Sequence, residues 1–251
     1  MKQWADKKVL VLGLGETGLS LLRWLSAQGA CLRVADSRSE PPGLAEAGQL
    51  VSSGQIFCGA FSDALLEGID LIAISPGVPL RDPFVAKAVA RGIPVAGDIE
   101  LFAQPLTTTT LRLTPKVLAI TGANGKTTVT SMVEHLCRAA GRDALAAGNI
   151  SPAVLDAVLA RAADQPEIWV LELSSFQLET TFSLNADAAT VLNVSEDHLD
   201  RYAGMDEYAA AKARIFQGSG VQVLNRDDAR SMDMALPGRE MVTFGLDRPR
   251  G

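Results

Sequence analysis

The residues best suited to chemistry lie in the segment Thr121-Gly-Ala-Asn-Gly-Lys-Thr-Thr128, which we call the phosphate loop. It follows the apolar run 117–120 and precedes an amphipathic stretch over 129–138, so a strand, a loop and a helix are expected. Glycines let backbone N–H groups approach an anion, and the helix N-terminus adds partial positive charge. Lys126 could contact phosphoryl oxygens, and the Thr127 hydroxyl could bind Mg²⁺. The alternative interpretation is a solvated turn without a ligand.

The phosphate loop is shorter at its front than a Walker loop, which has a glycine six residues before the lysine. Ile120 occupies that position, so the pattern is GxxGKT rather than GxxxxGKT. The sequence therefore predicts phosphate binding by a loop of unusual spacing.

Two further polar groups follow apolar, strand-like runs in the same half of the chain. Glu172 lies near the end of the run 168–173, and a carboxylate buried there needs a cation, which Mg²⁺ near Thr127 could supply. His198 lies in the polar segment that follows the run 188–194. It is a candidate metal ligand or a hydrogen-bond donor to one, and the alternative is a solvated or helix-capping side chain. His135 is expected to be structural or solvated.

Lys212 occupies an unusual position in the predicted helix 205–216. It shares the spacing of one buried stripe with three apolar or aromatic residues, Tyr208, Ile215 and Phe216. A lysine on that face must extend its amine to solvent, find a carboxylate, or lose its charge. Physical reasoning from the sequence favours the first outcome. A lowered pKa would instead make the amine nucleophilic and able to take up CO₂ as a carbamate.

A second glycine pattern, Gly13-Leu-Gly-Glu-Thr-Gly18, follows the first apolar run, and we call it the glycine loop. With Asp36 about 20 positions further on, it matches the dinucleotide template and makes an NAD-dependent oxidoreductase a legitimate interpretation. The pattern is weak alone, because any diphosphate at a helix N-terminus would favour the same glycines. Ser75-Pro-Gly77 follows another strand-like run, at the sheet edge where ligands bind in such folds. A nucleotide diphosphate other than NAD is the better prediction.

The alternation of apolar runs with helix-like segments predicts an α/β fold with mostly parallel strands. The segment 104–115, with two prolines and a threonine run, interrupts this alternation. We therefore predict two tandem domains, residues 1–103 and 116–251, joined by a connection over 104–115.

Composition limits the classes of function. The net charge of −6 and the lack of a Lys/Arg cluster argue against nucleic-acid binding. No apolar segment is long enough for a transmembrane helix and no signal peptide is evident, so we expect a cytoplasmic protein that does not bind a membrane. Cys31, Cys58 and Cys137 lie in apolar or helical stretches, which predicts buried thiols in a reducing compartment.

Taken together, the motifs resemble the Mur ligase family, and the similarity runs from about residue 8 to residue 245. Besides the two loops and Ser75-Pro-Gly77, it is carried by Gly97-Asp-Ile-Glu-Leu-Phe102, Gly148-Asn-Ile150, Leu171-Glu-Leu-Ser-Ser-Phe-Gln-Leu-Glu179, Leu192-Asn-Val-Ser-Glu-Asp-His-Leu-Asp200 and Ala211-Lys-Ala-Arg-Ile215. The resemblance is strongest to the branch that adds D-glutamate, with another branch of the family as the alternative. It implies a Rossmann-like first domain and a central P-loop-type ATPase domain.

The resemblance also implies a reaction in peptidoglycan precursor synthesis. ATP phosphorylates the carboxylate of UDP-N-acetylmuramoyl-L-alanine, the amine of D-glutamate attacks the acyl phosphate, and orthophosphate leaves. ATP and Mg²⁺ are the implied cofactors, and a monomer is expected. The implied ATP-binding residues are Gly122, Ala123, Asn124, Gly125, Lys126, Thr127 and Thr128. The implied substrate-binding residues are Gly15, Thr17, Asp36, Ser37, Arg38, Ser75, Gly77 and Asn149.

Catalytic roles are implied for Lys126, His198 and Lys212, and metal binding for Thr127, Glu172, His198 and Lys212, the last as a carbamate. Ala123 departs from the family pattern, which has Ser or Thr there, and Glu16 places a carboxylate beside the expected diphosphate. Members of the family carry a third, C-terminal domain that helps to bind ATP and D-glutamate, and the sequence stops before it. We therefore expect this chain to bind the UDP substrate but to show little or no ligase turnover.

Overall fold

The computed structural model describes residues 4–108, 115–197 and 201–247, with side chains of 105–108 excepted. The chain divides into two compact units. The first comprises Met1–Leu101 and Ala153–Ala160, and the second comprises Phe102–Pro152 and Arg161–Gly251.

The first unit is built on a parallel sheet of five described strands in the order β3-β2-β1-β4-β5. The strands are β1 (Lys8–Leu12), β2 (Cys31–Asp36), β3 (Ile56–Cys58), β4 (Leu71–Ile74) and β5 (Val95–Ala96). The helices are α1 (Glu16–Ala27), α2 (Leu44–Leu50) and α3 (Pro83–Ala90), with short 3-10 helices at Ser53–Gln55 and Asp63–Leu66. Helix α4 (Asp98–Thr108) begins in this unit, and its residues from Phe102 onward belong to the second unit. The central strands β1 and β4 read as continuous apolar runs because a parallel sheet is covered on both faces.

The second unit contains a parallel sheet of six described strands in the order β11-β10-β9-β6-β8-β7. The strands are β6 (Lys116–Thr121), β7 (Ala144–Gly148), β8 (Ile168–Glu172), β9 (Ala188–Val191), β10 (Val221–Asn225) and β11 (Met241–Phe244). The helices are α5 (Lys126–Ala139), α6 (Val154–Arg161), α7 (Ser175–Glu179), α8 (Met205–Ala213) and α9 (Ala229–Met232), with a 3-10 helix at Arg214–Phe216. Most of α6 belongs to the first unit, where Arg23 pairs with Asp156.

The predicted α/β class with two parallel sheets is confirmed. Helix α5 begins three residues earlier than its apolar periodicity indicates, directly after Gly125, because a glycine can provide the last non-helical residue. Strand β9 ends at Val191 rather than at 194, and the residues beyond it become part of the site. The connection predicted over 104–115 includes the last residues of α4, and residues 109–114 lie outside the described range. The domain boundaries stay a prediction.

The expectation of buried thiols is wrong for this protein. Cys31 and Cys58 are exposed and Cys137 is half-buried, and all three are free. Cys31 begins β2 and Cys58 ends the edge strand β3, so an apolar neighbourhood in sequence does not place either side chain in the core.

Within the described parts of the chain, no helix combines the length and the apolar character needed to cross a membrane.

Candidate functional site

The phosphate loop lies at the carboxyl end of β6, between the ends of β8 and β9. Ile120 pairs with Glu172 of β8, and Thr121 pairs with Val191 of β9. The non-helical part of the phosphate loop ends at Gly125, whose φ of 78° lies in the left-handed region that favours glycine. Helix α5 begins at the next residue, and Gly125 provides no side-chain cap. The first N–H groups of a helix have no partner within it, so this end of α5 can receive an anion.

Two lysine side chains converge on one carbonyl oxygen of the phosphate loop. The Nζ of Lys126 donates to the carbonyl oxygens of Gly122 and Ala123, each at 3.0 Å. The Nζ of Lys212 donates to the same Gly122 oxygen at 2.9 Å. The ammonium group of Lys126 is thereby held beside the helix N-terminus, which favours binding of a phosphate group.

Lys212 is buried, with 1% of its surface exposed, so the interpretation in which its amine reaches solvent is wrong. The predicted buried stripe is confirmed, because Tyr208, Ile215 and Phe216 are buried with it. Burial, together with the charge of Lys126, lowers the pKa of Lys212 to about 7, and the charge of Asp197 opposes this shift. Its Nζ also lies 4.4 Å from the centre of the Tyr208 ring. A substantial fraction of the amine is therefore neutral near pH 7.

Glu172 ends β8 with 1% of its surface exposed. Its Oε1 accepts a hydrogen bond from Nδ2 of Asn149 at 2.8 Å, and its carbonyl oxygen accepts from the Asn149 N–H. Its Oε2 is also buried, and no residue in the described part of the chain donates a hydrogen bond to it. A buried carboxylate oxygen without a donor is well suited to a cation such as Mg²⁺, which prefers oxygen ligands.

The remaining predicted residues of this region differ in what the structure shows. Thr127 and Thr128 are exposed in the first turn of α5. His135 is exposed, as expected for a solvated side chain. His198 lies outside the described residues. Within the described ranges, no three His, Cys, Asp or Glu side chains form a cluster able to hold a metal ion.

The sequence did not single out Asn193 and Ser195, although both contact the phosphate loop. Asn193 accepts hydrogen bonds from the N–H groups of Ala123 and Asn124, through its main-chain oxygen and its Oδ1 respectively. The Oγ of Ser195 accepts from Nδ2 of Asn124 at 3.1 Å. Two of the N–H groups predicted to cradle phosphate are therefore engaged within the protein, and among the described residues no such bond is seen for those of 125–128. The available signal was the position of residues 193–195 at the end of the strand-like run 188–194.

The glycine loop of the first unit is tightly packed. Gly13 has a φ of 88°, and its carbonyl oxygen accepts a hydrogen bond from Oγ of Ser75 at 3.0 Å. A Cβ on Gly18 would lie 1.8 Å from that same oxygen, so only glycine fits there. Gly15 has open space around its Cα. The glycines therefore serve two needs, a left-handed turn at Gly13 and a close helix-to-loop contact at Gly18.

Asp36 is buried at the end of β2 with both carboxylate oxygens bonded to protein donors. Its Oδ2 accepts hydrogen bonds from the Leu14 N–H and from Nη2 of Arg38, each at 2.7 Å. Its Oδ1 accepts hydrogen bonds from the main-chain N–H and from Nε of Arg38. These bonds, led by that of the Arg38 guanidinium, hold the pKa of Asp36 at about 2 despite its burial. The Asp36 carboxylate is thus engaged with the Leu14 N–H of the glycine loop and with Arg38.

The other predicted substrate residues lie beside the glycine loop or just after strands of the same sheet. Gly15 and Thr17 are half-buried, Ser37 and Gly77 are exposed, and Ser75 is buried. Glu16 is exposed, so its carboxylate can remain in solvent.

Comparisons with known proteins agree with this arrangement. The Mur ligase middle domain matches residues 120–250, and the MurD-like N-terminal domain of Mur ligases matches residues 7–97. UDP-N-acetylmuramoylalanine–D-glutamate ligase of Aromatoleum aromaticum is 56% identical over 99% of this chain and 54% of its own length. The enzyme of that name from Methylobacillus flagellatus is 56% identical over 100% of this chain and 53% of its own length. The chain thus spans about half the length of these curated relatives.

Solved structures show the same fold at low sequence identity. The UDP-N-acetylmuramate-alanine ligase MurC of Thermotoga maritima is 21% identical, with a TM-score of 0.55 over 96% of this chain and 53% of its own. The murein peptide ligase Mpl of Psychrobacter arcticus is 17% identical, with the same TM-score over the same shares.

Proposed function

This chain belongs to the Mur ligase family, and from that premise we propose that it is part of an ATP-dependent ligase that adds D-glutamate to UDP-N-acetylmuramoyl-L-alanine. The reaction proceeds through an acyl phosphate of the UDP substrate and contributes to peptidoglycan precursor synthesis. The protein is a cytoplasmic monomer in this proposal. The relatives that are 56% identical bear the name of this activity, which supports the choice among Mur ligases.

The single observation that carries the proposal is the position of the Lys126 ammonium group, which donates to the Gly122 and Ala123 carbonyl oxygens at the N-terminus of α5. Lys126 donates to two carbonyl dipoles, whereas the phosphates of ATP offer it full negative charge. Lys126 therefore exchanges its carbonyl partners for phosphoryl oxygens when the nucleotide binds. The N–H groups at the start of α5 hold the same phosphates.

A magnesium site fits the residues around the buried carboxylate of Glu172. Its Oε2, which has no donor among the described residues, would supply one oxygen ligand, and the Thr127 hydroxyl would supply another. Bound there, Mg²⁺ would neutralise the negative charge that develops during phosphoryl transfer. His198 completes this set in the proposal, and Asn149 holds Glu172 in place while facing the substrate.

Lys212 contributes to the metal site as a carbamate. Because burial favours its neutral amine, the nitrogen lone pair is available near pH 7 to form a bond to the carbon of CO₂. One amine proton is released to solvent, and the product carries a negative carbamate in place of a positive ammonium. That change of sign converts a buried cation into an anionic ligand for Mg²⁺.

The first unit holds the UDP moiety in this proposal. The N–H groups at the start of α1 face the diphosphate, and Asp36, Ser37 and Arg38 contact the uridine. Because Asp36 and Arg38 already form a bidentate pair, their side chains need little ordering when the nucleotide binds. Thr17, Ser75 and Gly77 complete the contact surface.

Isothermal titration of the 251-residue chain with three ligands tests the proposal. We expect binding of UDP-N-acetylmuramoyl-L-alanine and of MgATP, and no detectable binding of NAD. Tight binding of NAD without binding of the UDP substrate would identify an oxidoreductase instead. Binding of the UDP substrate without MgATP would retain the first unit's role and remove that of the phosphate loop.

A further inference from the structure

We propose that Asn193 is a positioning residue that holds the phosphate loop in its anion-binding shape before a nucleotide arrives. The proposal rests on the nucleotide-binding role of that loop. Asn193 does not touch the anion in this view. It acts by fixing the front half of the loop, residues 122–124, so that the N–H groups of 125–128 stay aligned.

Asn193 pairs with the loop as a strand would. Beyond the last residue of β9, the Leu192 N–H donates to the Thr121 carbonyl oxygen at 2.8 Å, and the Ala123 N–H donates to the Asn193 carbonyl oxygen at 3.0 Å. The side chain of Asn193 continues the ladder by one residue. Its Oδ1 accepts from the Asn124 N–H at 2.8 Å, and its Nδ2 donates to the Asn124 carbonyl oxygen at 3.0 Å.

This two-way pairing requires a side chain with both a donor and an acceptor at the length of asparagine. It satisfies both backbone polar groups of Asn124 at a point where the chain leaves the sheet. The close approach of the two segments is also seen at Gly122, because a Cβ there would lie 3.0 Å from Cβ of Leu192. Asn193 therefore supports a phosphate loop that already lies directly against the backbone of the segment carrying Asn193.

The segment that carries Asn193 is itself held from β10 and α9. The side chain of Asn225 donates to the Leu192 carbonyl oxygen at 2.8 Å, and the Ser231 hydroxyl donates to that of Val191 at 2.8 Å. Oδ2 of Asp228 accepts from the Val194 N–H at 2.9 Å, while its Oδ1 caps α9 by accepting from the Ser231 N–H. Residues 191–194 are thus held by several hydrogen bonds and provide a fixed support for the phosphate loop.

The arrangement has a consequence for affinity. A flexible glycine-containing loop must be ordered when it binds an anion, and a loop that is already ordered avoids that loss of conformational entropy. Without the Asn193 side chain, residue 124 loses both of its backbone partners and the front of the loop gains freedom. Nucleotide affinity should then fall even though no group that contacts phosphate has been changed.

Calorimetric titration with MgADP compares the parent chain with three variants. We expect Asn193→Ala to bind MgADP about tenfold more weakly than the parent, the effect of two lost hydrogen bonds. Asn185→Ala is the matched control, because Asn185 also accepts a main-chain N–H bond, from Ser219, in a different loop of the same unit. It should bind as the parent does, and both variants should retain parental affinity for the UDP substrate. Lys126→Ala should lose most of its MgADP affinity.

Hydrogen–deuterium exchange of the ligand-free chain adds a local measurement. In the parent, the Ala123 and Asn124 amides should exchange slowly, and in Asn193→Ala the Asn124 amide should exchange at least about tenfold faster. Equal MgADP affinity of parent and Asn193→Ala, or rapid exchange of both amides in the parent, would overturn the proposal for Asn193. Equal affinity of parent and Lys126→Ala would overturn the role of the phosphate loop itself, so the two failures are distinguishable.

Discussion

The glycine loop after β1 and the phosphate loop after β6 both connect a central parallel strand to a helix that begins at the loop. They differ in how their charged groups are satisfied. Beside the glycine loop, the Asp36 carboxylate is fully paired by the Leu14 N–H and the Arg38 guanidinium. Beside the phosphate loop, the amines of Lys126 and Lys212 donate to one carbonyl oxygen, and Oε2 of Glu172 has no donor among the described residues.

This comparison indicates that a glycine pattern predicts a turn and a helix start but not the ligand. Beside the glycine loop, the Asp36 carboxylate is already paired, which suits recognition of a ligand by shape and hydrogen bonds. Beside the phosphate loop, the Lys126 amine is bonded to carbonyl oxygens and a buried carboxylate oxygen has no donor among the described residues, which suits a phosphate group and a divalent cation.

Gly18→Ala should destabilise the first unit by about 3 kcal/mol, because the new Cβ would clash with the Gly13 carbonyl oxygen. Urea denaturation followed by circular dichroism measures the effect. Gly48→Ala is the matched control, since Gly48 lies in α2 with open space around it and alanine favours a helix. Equal stability of the two variants would show that the glycine loop is not tightly packed against α1.

Lys126→Ala should weaken MgADP binding about 100-fold, or about 2.7 kcal/mol, because it removes a charged donor to phosphate. Lys116→Ala removes an exposed lysine of the same unit that pairs with Asp187, and it should leave affinity unchanged. Calorimetry of both variants measures the effect. A similar loss in the two variants would mean that net charge, rather than the position of Lys126, determines affinity.

Glu172→Gln should reduce the Mg²⁺-dependent gain in ADP affinity about tenfold, since the neutral amide is a weaker ligand for a hard cation. Titrations with ADP in the presence and absence of Mg²⁺ isolate this gain. Glu167→Gln changes an exposed carboxylate of the same unit and should leave the gain intact. An unchanged gain in Glu172→Gln would contradict the magnesium site.

Asp36→Asn should lower the free energy of unfolding by about 1 kcal/mol near pH 6, because it removes the ion pair with Arg38. The effect is small because solvent screens the half-exposed Arg38 side chain. The folded pKa of Asp36, about 2, lies below its ordinary value of 3.8, so the ionised form stabilises the fold. This contribution is complete above pH 4 and is lost as the pH falls through 2. Denaturation at several pH values should show parent and variant converging below pH 4, and a constant difference down to pH 2 would contradict the pairing.

Several features of the site could be predicted from local sequence. The periodicity of Tyr208, Lys212, Ile215 and Phe216 predicted a lysine on a buried face, and all four are buried. The strand-like run before Glu172 predicted a carboxylate at a strand end, and Glu172 is buried there. These predictions succeeded because helix and strand periodicities are set by residues close in sequence.

Contacts between distant segments could not be predicted in the same way. Asn193 lies 69 residues from Asn124, and only the pairing of β6 with β9 brings them together. Likewise, nothing near Lys212 in sequence indicates that its amine bonds to Gly122, 90 residues away, rather than reaching solvent.

The sequence by itself determined the strands, the loops that follow them, the family and the residue types available at each loop. The tertiary structure decided which N–H groups of the phosphate loop remain free, which carboxylate oxygen lacks a donor, and which lysine is buried. The physical reason is that hydrogen bonding and desolvation depend on which atoms meet in space. In a parallel sheet, neighbouring strands are joined by long connections, so those atoms come from distant parts of the chain.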